Sequence, residues 1–371
     1  MTPRPLRIGS LCTGTGAMEL AVQAVLGGDL LWVADPDPDA CKVIAHRLPG
    51  IPNLGDLTRV DWARVPRVDL VSCGFPCSDI SVAGRGAGIK EGTRSGVWID
   101  ITKALAHLLP RYVFIENVAV LRRRGLDQVL ADLDALGYTC RWTTLRACDV
   151  GAPHRRDRLF LLGEHRDSSP VRADGTGGAP ADPHGQPRQR HRSPEPAAPA
   201  GGRPRPDPGG RHRAPARCLA GTTSTSPLPA GGLRLPGGQV APYSTDPARE
   251  HSTALAPVVT ALLRDSIQTT HAGTAAPAPA TTNWGPYTAA VRRWEQILGR
   301  PAPAPNTPGP RGTLRISVGI LEFLAGLPDG YLAEVPGLTR RQGVRLAWNV
   351  CCVHQAAAAL DHLLHRAADS S

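Results

Sequence analysis

Apolar residues in the first 166 positions come in short β-branched runs set between segments of helical spacing. Leu6 to Leu11 reads as a strand, Gly14 and Gly16 as a turn, and Met18 to Leu26 as a helix. Further strand-like runs are Leu30 to Ala34, Val68 to Cys73, Tyr112 to Glu116, Thr139 to Leu145 and Leu159 to Gly163. Helical segments separate most of them, and strands joined through helices line up in parallel. The pattern therefore predicts an α/β fold with a mostly parallel sheet and helices on both faces.

The pattern breaks after Glu164. From Asp167 to about Glu250 the chain is Pro, Gly, Arg, Ser and His with Tyr243 as its only aromatic. Such a stretch buries too little apolar surface to offset its ordering entropy, so loop or disorder is expected there. Helical spacing returns at Leu255, Val258, Val259, Leu262 and Leu263, and again from Trp284 to Leu298. A Pro-rich linker, Pro301 to Pro310, follows. From Leu314 the composition is globular again: Ile316, Ile320, Leu321, Phe323 and Leu324 lead into a turn at Leu327 to Gly330, and a last helix is expected through Ala356 to Leu364. No internal repeat is apparent.

Composition sharpens this picture. Of 371 residues 41% are hydrophobic, enough for a sizeable core, but 40 Gly, 37 Pro and 4% aromatics mean that part of the chain packs poorly. No apolar run is long enough to cross a membrane, and Met1 to Leu6 carries no apolar signal core. Nine cysteines without a Cys-x-x-Cys pair fit a reducing cytosol better than a disulfide framework or a zinc site, and no metal is expected. The net charge of +10 is almost all arginine, because Lys42, Lys90 and Lys103 are the only lysines. That excess suits an acidic polymer such as nucleic acid, although GC-rich codons produce the same bias.

Chemistry-bearing residues gather at the ends of the strand-like runs. The loop Gly14-Thr15-Gly16 can receive a polar ligand on backbone N–H groups, but position 19 is Glu19 where a dinucleotide fingerprint needs glycine. The loop thus suits a cofactor without a pyrophosphate. Asp35, followed by Pro36, and Asp56, followed by Leu57, sit where carboxylates can hold hydroxyl or amine groups; turn and cap roles fit them equally. Pro76 leads into Cys77 directly after an apolar strand, placing a soft nucleophile where open α/β sheets bind ligands; a small buried cysteine is the plainer alternative. Glu116 follows three apolar residues, where desolvation raises a carboxyl pKa and makes it a proton donor, unless a salt bridge holds it. Arg156 and Arg158 alternate in an extended segment and can face one site, or lie in an exposed basic loop.

Taken in order, the Gly14 loop, Asp35, Gly55-Asp56-Leu57-Thr58, Gly74-Phe75-Pro76-Cys77, Arg94-Ser95-Gly96-Val97-Trp98, Glu116-Asn117-Val118 and His154-Arg155-Arg156-Asp157-Arg158 resemble the successive motifs of the C5-cytosine DNA methyltransferase family. Leu321-Glu322-Phe323 through Gly326-Leu327-Pro328, and Asn349 with Gln355, resemble its closing ones. The resemblance implies a class I methyltransferase, Rossmann-like fold with a small, irregular target-recognition region. It divides the chain into a catalytic, donor-binding domain at 1–166, a target-recognition region at 167–312 and a closing segment at 313–371. It also implies S-adenosylmethionine as methyl donor, a flipped-out cytosine of double-stranded DNA as acceptor, a monomer in the cytoplasm, and a companion restriction endonuclease. Cys77 would be the nucleophile, Glu116 the group on N3, and Arg156 and Arg158 the holders of base or loop. Gly14, Thr15, Gly16, Asp35, Pro36, Asp56, Leu57, Pro76 and Asn349 would line the donor site. An RNA cytosine acceptor and a non-catalytic DNA-binding relative are the alternatives. The chain departs from the family pattern at Cys12, Ala17, Cys73, Ser78 and His154, and at Trp348 and Val350, which would be strained if those positions required positive φ.

Overall fold

A computed structural model describes residues 4–76, 96–167 and 282–368. Cys77, Ser78, Arg94, Ser95, the run Leu255 to Leu263 and the low-complexity stretch lie outside the described residues.

The first 76 residues build two β–α units: β1 (Arg7–Leu11), α1 (Ala17–Leu26), β2 (Asp29–Ala34) and α2 (Pro38–Arg47), then β3 (Leu70–Cys73). Beyond residue 96 come α3 (Val97–Leu108), β4 (Tyr112–Val118), α4 (Leu126–Ala135), β5 (Tyr138–Arg146) and β6 (Asp157–His165). These six strands form one sheet in the order β2-β1-β3-β4-β6-β5. Strands β1 to β4 pair in parallel, while β6 runs antiparallel to both β4 and β5. The reversal has a simple cause: residues 147–156 join β5 to β6 through a short 3-10 turn with no helix, so the chain doubles straight back.

Alternation along the strands feeds two apolar layers. Ile8, Leu70, Phe114, Phe160 and Leu162 face one cluster with Ala21 and Val22 of α1 and Val43 and Ile44 of α2. Val71, Ile115, Leu159 and Leu161 face the other, with Trp98, Ile101 and Leu105 of α3 and Val129 and Leu133 of α4. Buried on both faces, the central strands read as near-continuous apolar runs, which is why the sequence shows them so plainly. β4 continues through Val118, whereas the expected turn lay after Glu116.

The remaining described chain forms α5 (Thr288–Leu298), a small antiparallel pair β7 (Asn306–Pro308) and β8 (Leu314–Ile316), then α6 (Val318–Ala325), α7 (Arg340–Asn349) and α8 (Val353–Ala368). Helix α8 packs on α1 and on β5 and β6, extending the first apolar layer. Trp294 of α5 is fully buried in that layer, donates from Nε1 to the Phe323 carbonyl at 2.7 Å, and meets the His354 ring edge-on at 5.0 Å. Glu322 accepts from the backbone N–H groups of Leu332 and Ala333 at 2.5 and 2.6 Å, fixing the turn that follows α6. Gln355 donates to the carbonyls of Leu145 and Arg156 at 2.6 and 2.9 Å, which ties α8 to the start of β6. Trp348 lies in α7, and Val350 has φ −63 and ψ 137, so the strain expected at these two positions is not present.

Candidate active site

A cavity of about 600 Å³ opens where the carboxyl ends of β1 to β4 meet the end of α7. The chain leaves β1 toward β2 on one side and returns to β3 on the other, so the crevice lies at the topological switch point of the sheet. The glycine loop forms one wall. Gly14 and Gly16 have φ of 59° and 85°, a region that L side chains rarely adopt, and Gly16 begins α1 in that conformation. A Cβ at Gly16 would stand 3.2 Å from the Tyr331 hydroxyl, which donates to the Thr15 carbonyl at 2.9 Å. The loop is thus pinned by a residue more than three hundred positions away.

Asp35 follows β2 and is 8% exposed. Its Oδ2 accepts from Gly14 N–H at 2.7 Å and its Oδ1 from Asp37 N–H at 2.9 Å. Burial raises its pKa, with those two N–H groups opposing the shift. Pro36 and Asp37 continue the wall. Asp37 caps α2, accepting from Asp39 and Ala40 N–H, while Arg345 donates to both its oxygens at 2.7 and 2.8 Å and to Asp39 at 2.7 Å. That bidentate pair, more than any other cause, brings the Asp37 pKa down to about 2 and fastens α7 to the cavity rim. Asp56 accepts from the Thr58 N–H and hydroxyl as the cap of a 3-10 turn, and it and Leu57 both line the cavity. Cap and cavity positions therefore coincide at Asp56. Thr15, Pro76 and Asn349 also line it, as does Trp348, whose side chain is 59% exposed at the rim.

The opposite wall carries the strongest charges. Glu116 on β4 and Arg158 on β6 lie on the same sheet face, two steps apart in antiparallel register, and Arg158 Nε meets Glu116 Oε1 at 2.6 Å. Both side chains are nearly buried. Burial pushes the Glu116 pKa up, and Arg158 and Arg156 oppose it without cancelling it. The salt bridge and the desolvated carboxyl, framed as alternatives from sequence, are both present. The Nε and Nη2 atoms of the half-buried Arg156 are shielded from solvent with no hydrogen-bond partner in the described structure, and burial brings its pKa down to about 10. A cation held that dry, with free donors on a cavity wall, is arranged for an incoming acceptor.

Asn117 Nδ2 donates to the Phe75 carbonyl at 3.2 Å, holding the segment that leads to Pro76 against the end of β4. The strand-end motifs are thereby brought to one place, and Pro76, the last described residue before Cys77, lies on the cavity wall. Two contributors were not anticipated. Arg345 sits in a helix with no motif around it. Glu19 carried one signal, an acid in the apolar run Ala17-Met18-Glu19-Leu20-Ala21, but it was weighed only as a missing glycine.

Fold and crevice define a Rossmann-like α/β protein with a nucleoside-sized pocket at its switch point. Residues 6–197, just over half the chain, match the family described as C-5 cytosine-specific DNA methylase, and the chain belongs to that family. It is 34% identical over 134 residues to the type II methyltransferase M.CviJI of Paramecium bursaria Chlorella virus IL3A, covering 36% of each chain. It is 37% identical over 116 residues to the type II methyltransferase M2.ScrFI of Lactococcus lactis subsp. cremoris, covering 30% of this chain and 32% of that one. The matches thus span about a third of these relatives' lengths. The S. pombe Dnmt2 methyltransferase shares the fold, with a TM-score of 0.52 and 13% identity over 98% of this chain and 99% of that one.

Proposed function

We propose that the protein transfers a methyl group from S-adenosylmethionine to C5 of a cytosine in double-stranded DNA. The observation that carries this reading is the convergence of Glu116, Arg158, Arg156 with two unbonded N–H groups and the Pro76 lead-in on one cavity that also holds Gly14, Asp35 and Asp56. When bound, the donor supplies an electrophilic methyl on a sulfonium. The cavity fits such a group: its size suits a nucleoside, Gly14 leaves room for close backbone approach, and Glu19 has a buried oxygen without a partner. Gly14, Thr15 and Gly16 would hold the amino-acid end, Asp35 and Pro36 the ribose, and Asp56 and Leu57 the adenine, with Pro76 and Asn349 completing the wall.

C5 of cytosine is a weak nucleophile inside the duplex, so the base must leave the stack before it can react. The Cys77 thiolate then adds to C6 while Glu116 holds or protonates N3, which makes an enamine of the ring and raises electron density at C5. Arg158 keeps Glu116 oriented, and Arg156 donates its free N–H groups to the base or to the segment that carries Cys77. C5 would take the methyl as that methyl's bond to the donor sulfur breaks, leaving a neutral thioether; the C5 proton would pass to water, the N3 proton return to Glu116, and expulsion of Cys77 as thiolate release the methylated base.

The division into 1–166, 167–312 and 313–371 belongs to the same proposal, with sequence choice residing in the middle region. So do a monomeric state, a cytoplasmic setting and a companion endonuclease. Among the described residues no helix is long and apolar enough to cross a membrane, and no group of three metal-binding side chains occurs. The test is methyl incorporation from labelled donor into DNA and into RNA, with Cys77→Ala alongside. Label in DNA cytosine that disappears in the variant supports the proposal; label in RNA alone reassigns the acceptor; transfer to neither rejects it.

A further inference from the structure

One buried acid on the cavity wall is used by no step above. Glu19 lies in the first turn of α1 and is 2% exposed. It faces a pair of serines that sit opposite one another in the parallel register of β1 and β3, Ser10 and Ser72. Ser72 Oγ donates to Glu19 Oε1 at 2.6 Å, whereas Oε2 has no hydrogen-bond partner. Small polar residues in the middle of two otherwise apolar strands form a recess for this carboxyl, and a buried acceptor left without a donor is costly. Glu19 lines the same cavity as Gly14, Thr15 and Gly74.

We propose that Glu19 is the cavity's counter-charge to the methyl donor: Oε2 faces the positive charge that the donor carries as a sulfonium and as an α-ammonium. This inference rests on the donor reading above and adds a residue that the glycine loop alone does not supply. Its chemistry follows from what surrounds the carboxyl. The ionisable groups facing it are Asp35 from β2, Cys73 from β3, and Tyr331 and Cys351 from the closing segment, all neutral or negative in their usual states. Arg156 and Arg158 stand across the cavity, where they act on Glu116. Burial is the main cause that raises the Glu19 pKa, and the nearby Asp35 adds to it. A cation entering the recess opposes that shift and favours the ionised carboxylate.

The test compares wild type with Glu19→Gln, which preserves shape and the acceptor for Ser72. Affinities are measured by calorimetry for S-adenosylmethionine, which carries both cations, for S-adenosylhomocysteine, which has only the ammonium, and for methylthioadenosine, which has neither. The variant is expected to lose about tenfold or more in affinity for S-adenosylmethionine, the scale of one charge-assisted hydrogen bond, and to keep methylthioadenosine affinity within about twofold. A parallel loss for S-adenosylhomocysteine assigns the contact to the ammonium; a loss confined to S-adenosylmethionine assigns it to the sulfonium. Unchanged S-adenosylmethionine affinity, or an equal loss for methylthioadenosine, overturns the proposal. If Glu19→Gln does not fold, Glu19→Asp replaces it and must show the same selective loss in smaller measure. Wild-type protein that binds none of the three ligands refutes the donor reading itself, a result distinct from a negative result in the variant.

Discussion

Removing the Arg158 side chain isolates the electrostatics of the catalytic wall. Arg158 and Glu116 are 15% and 12% exposed and meet at 2.6 Å, so Arg158→Ala leaves a buried carboxylate without its nearest cation. Breaking such a pair ordinarily costs about 3–5 kcal/mol. Here the full cost is avoidable, because burial already raises the Glu116 pKa and the variant can take up a proton instead. The sign follows from linkage. A carboxyl whose folded pKa lies above its unfolded value of 4.5 binds more protons in the folded state, so its contribution to stability is greatest at low pH and falls as pH rises toward the folded pKa. Loss of Arg158 removes the stronger opposing charge and extends that window upward. The destabilisation of Arg158→Ala relative to wild type should therefore be small near pH 5 and grow by up to about 1.4 kcal/mol per pH unit above it. Urea unfolding at half-unit pH intervals measures this directly, and adding Glu116→Gln should flatten the dependence. A destabilisation independent of pH from 5 to 8 and unaffected by Glu116→Gln refutes the reasoning.

Other predictions follow from single contacts. Arg345→Ala should remove about 1 kcal/mol of stability near neutral pH, since a shift of Asp37 from 3.8 to about 2 is discounted for a pair more than a third exposed. A lowered carboxyl pKa stabilises above its unfolded value and is lost as pH falls through its folded value, so wild type and variant should converge in acid unfolding between about pH 4 and 2. Gly16→Ala should cost about 1–2 kcal/mol in thermal melting, because φ is 85° there and Tyr331 crowds the new methyl. Trp294→Ala should cost about 3–5 kcal/mol in chemical unfolding, through a lost core side chain and the lost hydrogen bond from its Nε1 to the Phe323 carbonyl.

What could be read from the chain beforehand follows a physical rule. Strands β1, β3 and β4 are buried on both faces, so their apolar runs identify them, and a loop at a strand end is where the eye looks for chemistry. Gly14, Asp35, Glu116 and Arg158 were legible for that reason. The reversal of β6 was less so, since a run of apolar residues has no direction and only the helix-free link after Arg146 reveals it. Long-range partners were not legible at all. Nothing near Arg345 says that it will clamp Asp37 from more than three hundred residues away, and nothing near Tyr331 says that it will hold Thr15. Trp348 and Val350 show the converse: a departure from the family pattern would strain them only if positive φ were required, and α7 carries Trp348 in ordinary helical geometry at the rim while Val350 has a φ of −63°.

The central claim is a transient bond between the Cys77 sulfur and C6 of an extruded cytosine. Its most direct measurement uses duplex DNA in which 5-fluorocytosine replaces cytosine, incubated with protein and S-adenosylmethionine and analysed by denaturing electrophoresis and peptide mass mapping. Fluorine at C5 cannot leave as a proton does, so the account predicts a stable protein–DNA adduct carrying one added methyl and mapped to Cys77, absent in Cys77→Ala. A mapped adduct on any other residue contradicts it, as does failure to form one on DNA whose unmodified counterpart the protein methylates.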